Sequence, residues 1–155
     1  MADYINKEGL TYDMSAFMAP DLEDEREATK EIYISDKFKD AEGNPVPWVI
    51  RRIPISENRD LRNMCMYNQR QRNGVYVKML NQQKYLSQLV LTSTVFPDLR
   101  NVDLLKRWHA NDAEEVLDAL LTSGEYDDLI EAITEFNGYD PLEKEDESTV
   151  EAAKN

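Results

Sequence analysis

YLSQLVLTSTVF, residues 85–96, carries no charged side chain, although charged residues make up 32% of the chain. A helix of that length rises about 18 Å, short of the roughly 30 Å hydrocarbon core of a bilayer, so the run reads as the most buried element of a globular fold. Tyr85, Leu86, Leu89, Val90 and Ser93 fall on one helical face, which predicts a helix. The β-branched Thr92, Thr94 and Val95 leave a strand open near its end, and Pro97 stops it.

Upstream, EIYISDKF (31–38) and WVIRRI (48–53) are alternating, β-branched runs separated by DAEGNPVP (40–47). That pattern predicts an antiparallel hairpin between residues 31–38 and 46–53. Ile32 and Ile34 would share one face, and Trp48, Ile50 and Arg52 would oppose Val49, Arg51 and Ile53. Pro54 ends the second strand and Ser56 caps a helix expected to run to about Arg72, with Leu61, Met64, Cys65 and Asn68 along its stripe. Gly74 breaks it, and Val75, Val77 and Met79 form a third strand or lead into the next helix.

Downstream, Leu104, Leu105 and Trp108 mark a short helix. Asn111 and Glu114 approximate a capping box ahead of Ala113, Val116, Leu117, Leu120 and Leu121, which follow amphipathic helical spacing. Thr122 to Gly124 interrupt, and a last helix carries Tyr126, Leu129, Ile130, Ile133 and Phe136 before Asn137 and Gly138. The expected fold is α+β: a small antiparallel hairpin or sheet packed against four to five helices. Residues 1–30 read as an acidic arm with an apolar cluster, 31–139 as a single globular domain and 140–155 as a polar acidic tail.

Net charge is −13, distributed as −5 over residues 1–30, +5 over 31–110 and −13 over 111–155. An acidic total argues against nucleic acid, whose affinity rests on Lys and Arg neutralising phosphates. The basic middle, with Arg51, Arg52, Arg59, Arg62, Arg70 and Arg72, leaves a local patch as the contrary reading. No apolar stretch of membrane-spanning length and no leader-like start is present, so a cytoplasmic protein is expected. Cys65 stands alone and reads as a small core residue.

Catalytic chemistry finds little to work with. His109 is the single histidine, placed near a helix end where a positive imidazole suits the dipole. Five scattered glycines form no phosphate loop, and each sits at an expected break. Asp112, Glu114, Glu115 and Asp118 belong to a solvated helix face, and Asp127 and Asp128 to a helix's first turn. No catalytic residue, cofactor or metal ligand is assigned. A partner surface is the alternative, with Met14, Phe17, Met18, Met64, Met66 and Met79 as candidates because Met and Phe adapt to varied apolar partners. The opposing reading is that most of them fill the core.

The stretch VFPDLRNVDLLKRWHANDAEEVLDALLTSGEYDDLIEAITEFNGYD resembles the C-terminal half of the XkdN-like phage tail assembly chaperones. Residues 95–99, Leu120 and Leu121, 124–126 and 137–140 match that family's pattern, and Ser123 departs from its usual Pro. SAFMA, KFKD, GNPVPWVIRRI and ISENRDLR follow in family order. The resemblance implies a non-enzymatic helper in the cytoplasm of the host bacterium. It would bind the tape measure protein, a long partner rich in apolar helix, and keep it soluble; the tail tube protein and a frameshifted longer form of the chain are further implied partners. A structural tail component, such as a tube completion or baseplate protein, is the competing reading. Oligomeric state is left open, and a small enzyme or a regulatory adaptor are the readings from other classes.

Overall fold

The structure, a computed structural model, describes residues 4–5 and 11–138. The tail expected over residues 140–155 lies outside them. In chain order the elements begin with β1 (Tyr4–Ile5), β2 (Thr11–Tyr12), a 3-10 helix (Met14–Phe17), α1 (Asp21–Glu27), β3 (Thr29–Ile32) and β4 (Trp48–Arg51). Then come α2 (Ile55–Met64), β5 (Met66–Arg70), β6 (Tyr76–Leu80), α3 (Gln82–Ser93) and β7 (Thr94–Phe96). Three helices close the described chain: α4 (Val102–Arg107), α5 (Ala113–Leu120) and α6 (Ser123–Asn137). The architecture is α+β, with three small antiparallel sheets among the described residues, β1-β2, β3-β4-β7 and β5-β6.

The uncharged run lies at the centre of the core. Asn81 caps α3 by accepting the Lys84 N–H at 3.1 Å, and Tyr85, Leu89, Val90, Leu91 and Ser93 are buried. Two clusters meet on this helix. The larger joins Leu89, Val90 and Leu91 to Trp48 and Ile50 of β4, Val116 and Leu117 of α5, and Leu129 and Ile133 of α6. The smaller joins Tyr85 to Leu61 and Cys65. A helix enclosed on both sides has nowhere to solvate a charge, which accounts for the composition of residues 85–93. Its last turn runs straight into β7, where β-branched residues favour extended backbone.

The expected hairpin forms with a shorter ladder. Thr29 pairs with Arg51 and Ile32 with Trp48, while an isolated bridge joins Lys39 to Pro45. Trp48 and Ile50 point into the core. On its other side β4 takes β7, so it becomes the middle strand of the sheet.

Several local boundaries differ from the sequence expectation. The α2 helix, which Pro54 rather than Ser56 precedes, ends at Met64 instead of continuing to Arg72. Residues 66–70 are strand, because pairing with 76–80 supplies every ladder partner and Gly74, at φ 83°, closes the turn. Asn68 therefore lies in a strand and Met64 is exposed, so neither belongs to a buried stripe, whereas Leu61 and Cys65 do. The third strand exists, but it joins β5 and not the central sheet. The cap of α5 is Asp112, one residue later than expected, with its side chain accepting the Glu115 N–H at 2.9 Å. The Glu115 carboxylate in turn accepts from the Asn111 N–H at 2.7 Å. The acidic run 21–27, expected as a solvated arm, is the exposed helix α1.

Candidate partner-binding surface

The arginines that composition grouped together separate into internal clamps and surface charges. Arg51 donates to the Thr92 carbonyl at 3.0 Å and to both carboxylate oxygens of Glu57 at 2.6 and 3.2 Å. Arg52 donates to the Phe136 carbonyl at 3.2 Å and to the Glu25 carbonyl at 2.5 Å, with its guanidinium 4.5 Å from the Phe136 ring centroid. Both thus serve helix C-terminal carbonyls, where a cation is favoured. Arg62 lies over the Tyr85 ring at 5.1 Å. Of the six arginines that make up the contrary nucleic-acid reading, Arg51 and Arg52 are thus engaged in holding the fold together.

Acidic groups are similarly engaged. Glu125 closes the capping box of α6 with Thr122 and pairs with Lys37 at 2.6 Å. Hydrogen bonding from Lys37, then from Ser35 and the Thr122 N–H, pulls its carboxyl down from 4.5 to about 2. Because α6 starts at Ser123, the acid in its first turn is Glu125, not Asp127 or Asp128. Gly124 lies within that turn, not at a break. His109 adopts φ 51°, and its N–H and that of Ala110 close back on Lys106 and Leu105 at 3.3 and 2.9 Å. The residue terminates α4 through its backbone.

Polar groups converge in a cleft of about 370 Å³ between α3, α5 and α6, which includes Ser87, Glu114, Asp118 and Tyr126. Burial pushes the Tyr126 phenol up, its oxygen lies 3.4 Å from Ser87 Oγ, and Gln88 holds Glu114 at 2.7 Å. This places a phenol beside a hydroxyl, with the nearby Glu114 carboxylate held by Gln88. Burial likewise raises the Cys65 thiol, the opposite of a reactive thiolate. Among the described residues no group of three or more His, Cys, Asp or Glu side chains could hold a metal ion.

All six candidate partner residues are at the surface, from Met66 at 38% to Phe17 at 75% exposed. Core filling is thereby excluded for them. They form two groups. Met14 and Phe17 sit on the 3-10 helix that Asp13 caps, with Met18 just after it. Met64 ends α2, and Met66 and Met79 belong to the β5-β6 hairpin.

The candidate list drawn from methionine content misses the hairpin's other apolar side chains. Tyr67 pairs with Met79 and Gln69 with Val77, and Gln71 and Val75 are joined across the turn at 2.8 Å. Alternation puts Tyr67, Gln69, Val75, Val77 and Met79 on one face and Met66, Asn68, Arg70, Tyr76 and Lys78 on the other, so the candidates Met66 and Met79 face opposite ways. Every residue of β5 and β6 is exposed except Leu80, which packs beneath the smaller cluster. The period-two alternation of Val75, Val77 and Met79 signalled one strand of this face, and the helical reading of 56–72 hid its partner, residues 66–70.

Comparison with known proteins matches residues 14–154 to the family described as Phage XkdN-like tail assembly chaperone protein, TAC. The Phage-like element PBSX protein XkdN of Bacillus subtilis (strain 168) is 33% identical over 147 residues, covering 93% of this chain and 95% of that protein. The uncharacterized protein YqbN of the same strain is 30% identical over 145 residues, covering 93% and 94%. The crystal structure of YqbN superposes with a TM-score of 0.61 at 25% identity over 74% of this chain and 87% of that one.

Proposed function

The chain belongs to the XkdN-like phage tail assembly chaperone family, and from that premise we propose that it binds the tape measure protein and keeps it soluble while the tail is built. The observation that carries this reading is the span of the family match, residues 14–154, which takes in the whole globular body. Physical features support it. A client with exposed apolar helix needs apolar surface to cover it and a charged exterior to keep the complex in solution. The protein offers exposed Met, Phe, Tyr and Val side chains together with a net charge of −13. Its role is binding rather than catalysis, exercised in the host cytoplasm; among the described residues no helix is long and apolar enough to cross a membrane.

The test is coexpression with the tape measure protein encoded in the same gene cluster. Copurification and a larger soluble fraction of that partner are expected. An unchanged soluble fraction, with both proteins expressed, sinks the reading. Mass spectrometry of purified particles separates the competing structural role, since a chaperone is expected in the lysate and a tube or baseplate component in the particle at fixed copy number.

A further inference from the structure

The β5-β6 hairpin stands out chemically within this acidic protein. Residues 58–84 carry six bases, Arg59, Arg62, Arg70, Arg72, Lys78 and Lys84, against the single acid Asp60. That local +5 leaves the remainder of the chain at −18. A segment bearing carboxylates is repelled by most of the molecule and attracted here.

Among the described residues, the same hairpin lacks a covering layer. A two-stranded sheet is marginal in water unless something packs on it. Here Tyr67, Val75, Val77 and Met79 are 40 to 56% exposed on one face, and among the described residues no further strand joins their sheet. Two strands span about 10 Å, the diameter of a helix, and a five-residue strand runs about 17 Å, which three helical turns match. Arg70 and Lys78 lie on the reverse face and Arg72 follows β5 in the turn, so they act on that helix through their field rather than by contact. A second copy presenting its own hairpin brings like charges together, so the occupant carries the opposite sign.

We infer that the apolar face formed by Tyr67, Val75, Val77 and Met79 docks an amphipathic helix of the client whose apolar stripe is flanked by Asp and Glu, with Arg70, Arg72 and Lys78 steering it. This rests on the chaperone reading for the client's identity, while the chemistry of the face can be tested without it. One experiment measures fluorescence anisotropy of two labelled amphipathic helical peptides with the same apolar stripe, one bordered by Glu and one by Lys, against the full chain. The Glu-bordered peptide is expected to bind at least about tenfold more tightly at roughly 0.15 M salt, with the difference shrinking near 1 M. Val77→Lys should abolish that binding, and Arg70→Glu with Lys78→Glu should reverse the preference, each with an unchanged melting temperature because these positions are exposed.

Equal binding of the two peptides, or tighter binding of a single-stranded oligonucleotide at the same site, overturns the inference. So does concentration-dependent self-association that Val77→Lys removes, since the occupant is then a second copy. The second experiment repeats the coexpression with the same variants. If the wild type retains the tape measure protein and Val77→Lys retains it equally, the hairpin assignment fails and the chaperone function stands; loss on deleting residues 1–20 instead moves the site to Met14, Phe17 and Met18. If the wild type binds the Glu-bordered peptide but not the tape measure protein, the face is as described and the client identity fails.

Discussion

His109 holds φ 51°, a left-handed conformation that costs an L-residue about 1 to 2 kcal/mol and a glycine much less. His109→Gly should therefore raise stability by up to about 1 kcal/mol after the glycine's greater unfolded-state entropy is counted. Urea unfolding followed by circular dichroism would read the shift, and a loss of stability would mean that the imidazole contributes more than the backbone. Arg52 shows the reverse situation. Its carboxylate contact with Glu25, 3.8 Å long to a side chain 68% exposed, adds little. The two carbonyls and the ring that the guanidinium engages at once are what matter. Lysine cannot span that fork, so Arg52→Lys should cost about 1 to 2 kcal/mol and speed proteolysis at α1, whose last turn loses its tie to the body.

At the level of elements, α6 is tied to the loop after β3 through Glu125. Its carboxyl is depressed from 4.5 to about 2 in the folded protein by Lys37, Ser35 and Thr122. A group so depressed contributes stability that is fully present above the unfolded value and is lost as pH falls through the folded one. The stability gap between wild type and Glu125→Gln should thus be widest above about pH 5 and close between roughly pH 4.5 and 2. Dilute urea titrations across that range would measure it; a gap independent of pH would show that the Lys37 pair is not what the variant removes. The end of α6 was read from Asn137 with Gly138, whereas its start, signalled locally by Thr122 with Glu125, was read as an interruption. The end of α2 was not legible in the sequence. Nothing between Met64 and Arg72 breaks a helix locally, and strand wins there only because residues 76–80 pair with it.

For the molecule as a whole, α3 is the keystone on which both core clusters rest. Leu89→Ala should cost about 2 to 5 kcal/mol, far more than a change on the hairpin's open face, because a cavity opens where the surroundings cannot collapse. A cost below about 1 kcal/mol would show that the core repacks. The family motifs acquire a physical meaning at this scale: Leu99 is a core residue, Glu125 closes the cap of α6 with Thr122 beside the motif, and Gly138 is a left-handed stop. The sequence by itself determined the α+β class, the buried uncharged helix, the first hairpin and the absence of a recognisable catalytic motif, because these follow from periodicity, caps and composition within one segment. Only the tertiary structure decided that β7 completes the central sheet, that Arg51 and Arg52 are internal clamps while Arg70 and Lys78 stay on the surface, and that residues 66–80 form an apolar-faced hairpin. Each of those depends on which distant segment supplies hydrogen-bond partners or removes water, and no single stretch of chain carries that information.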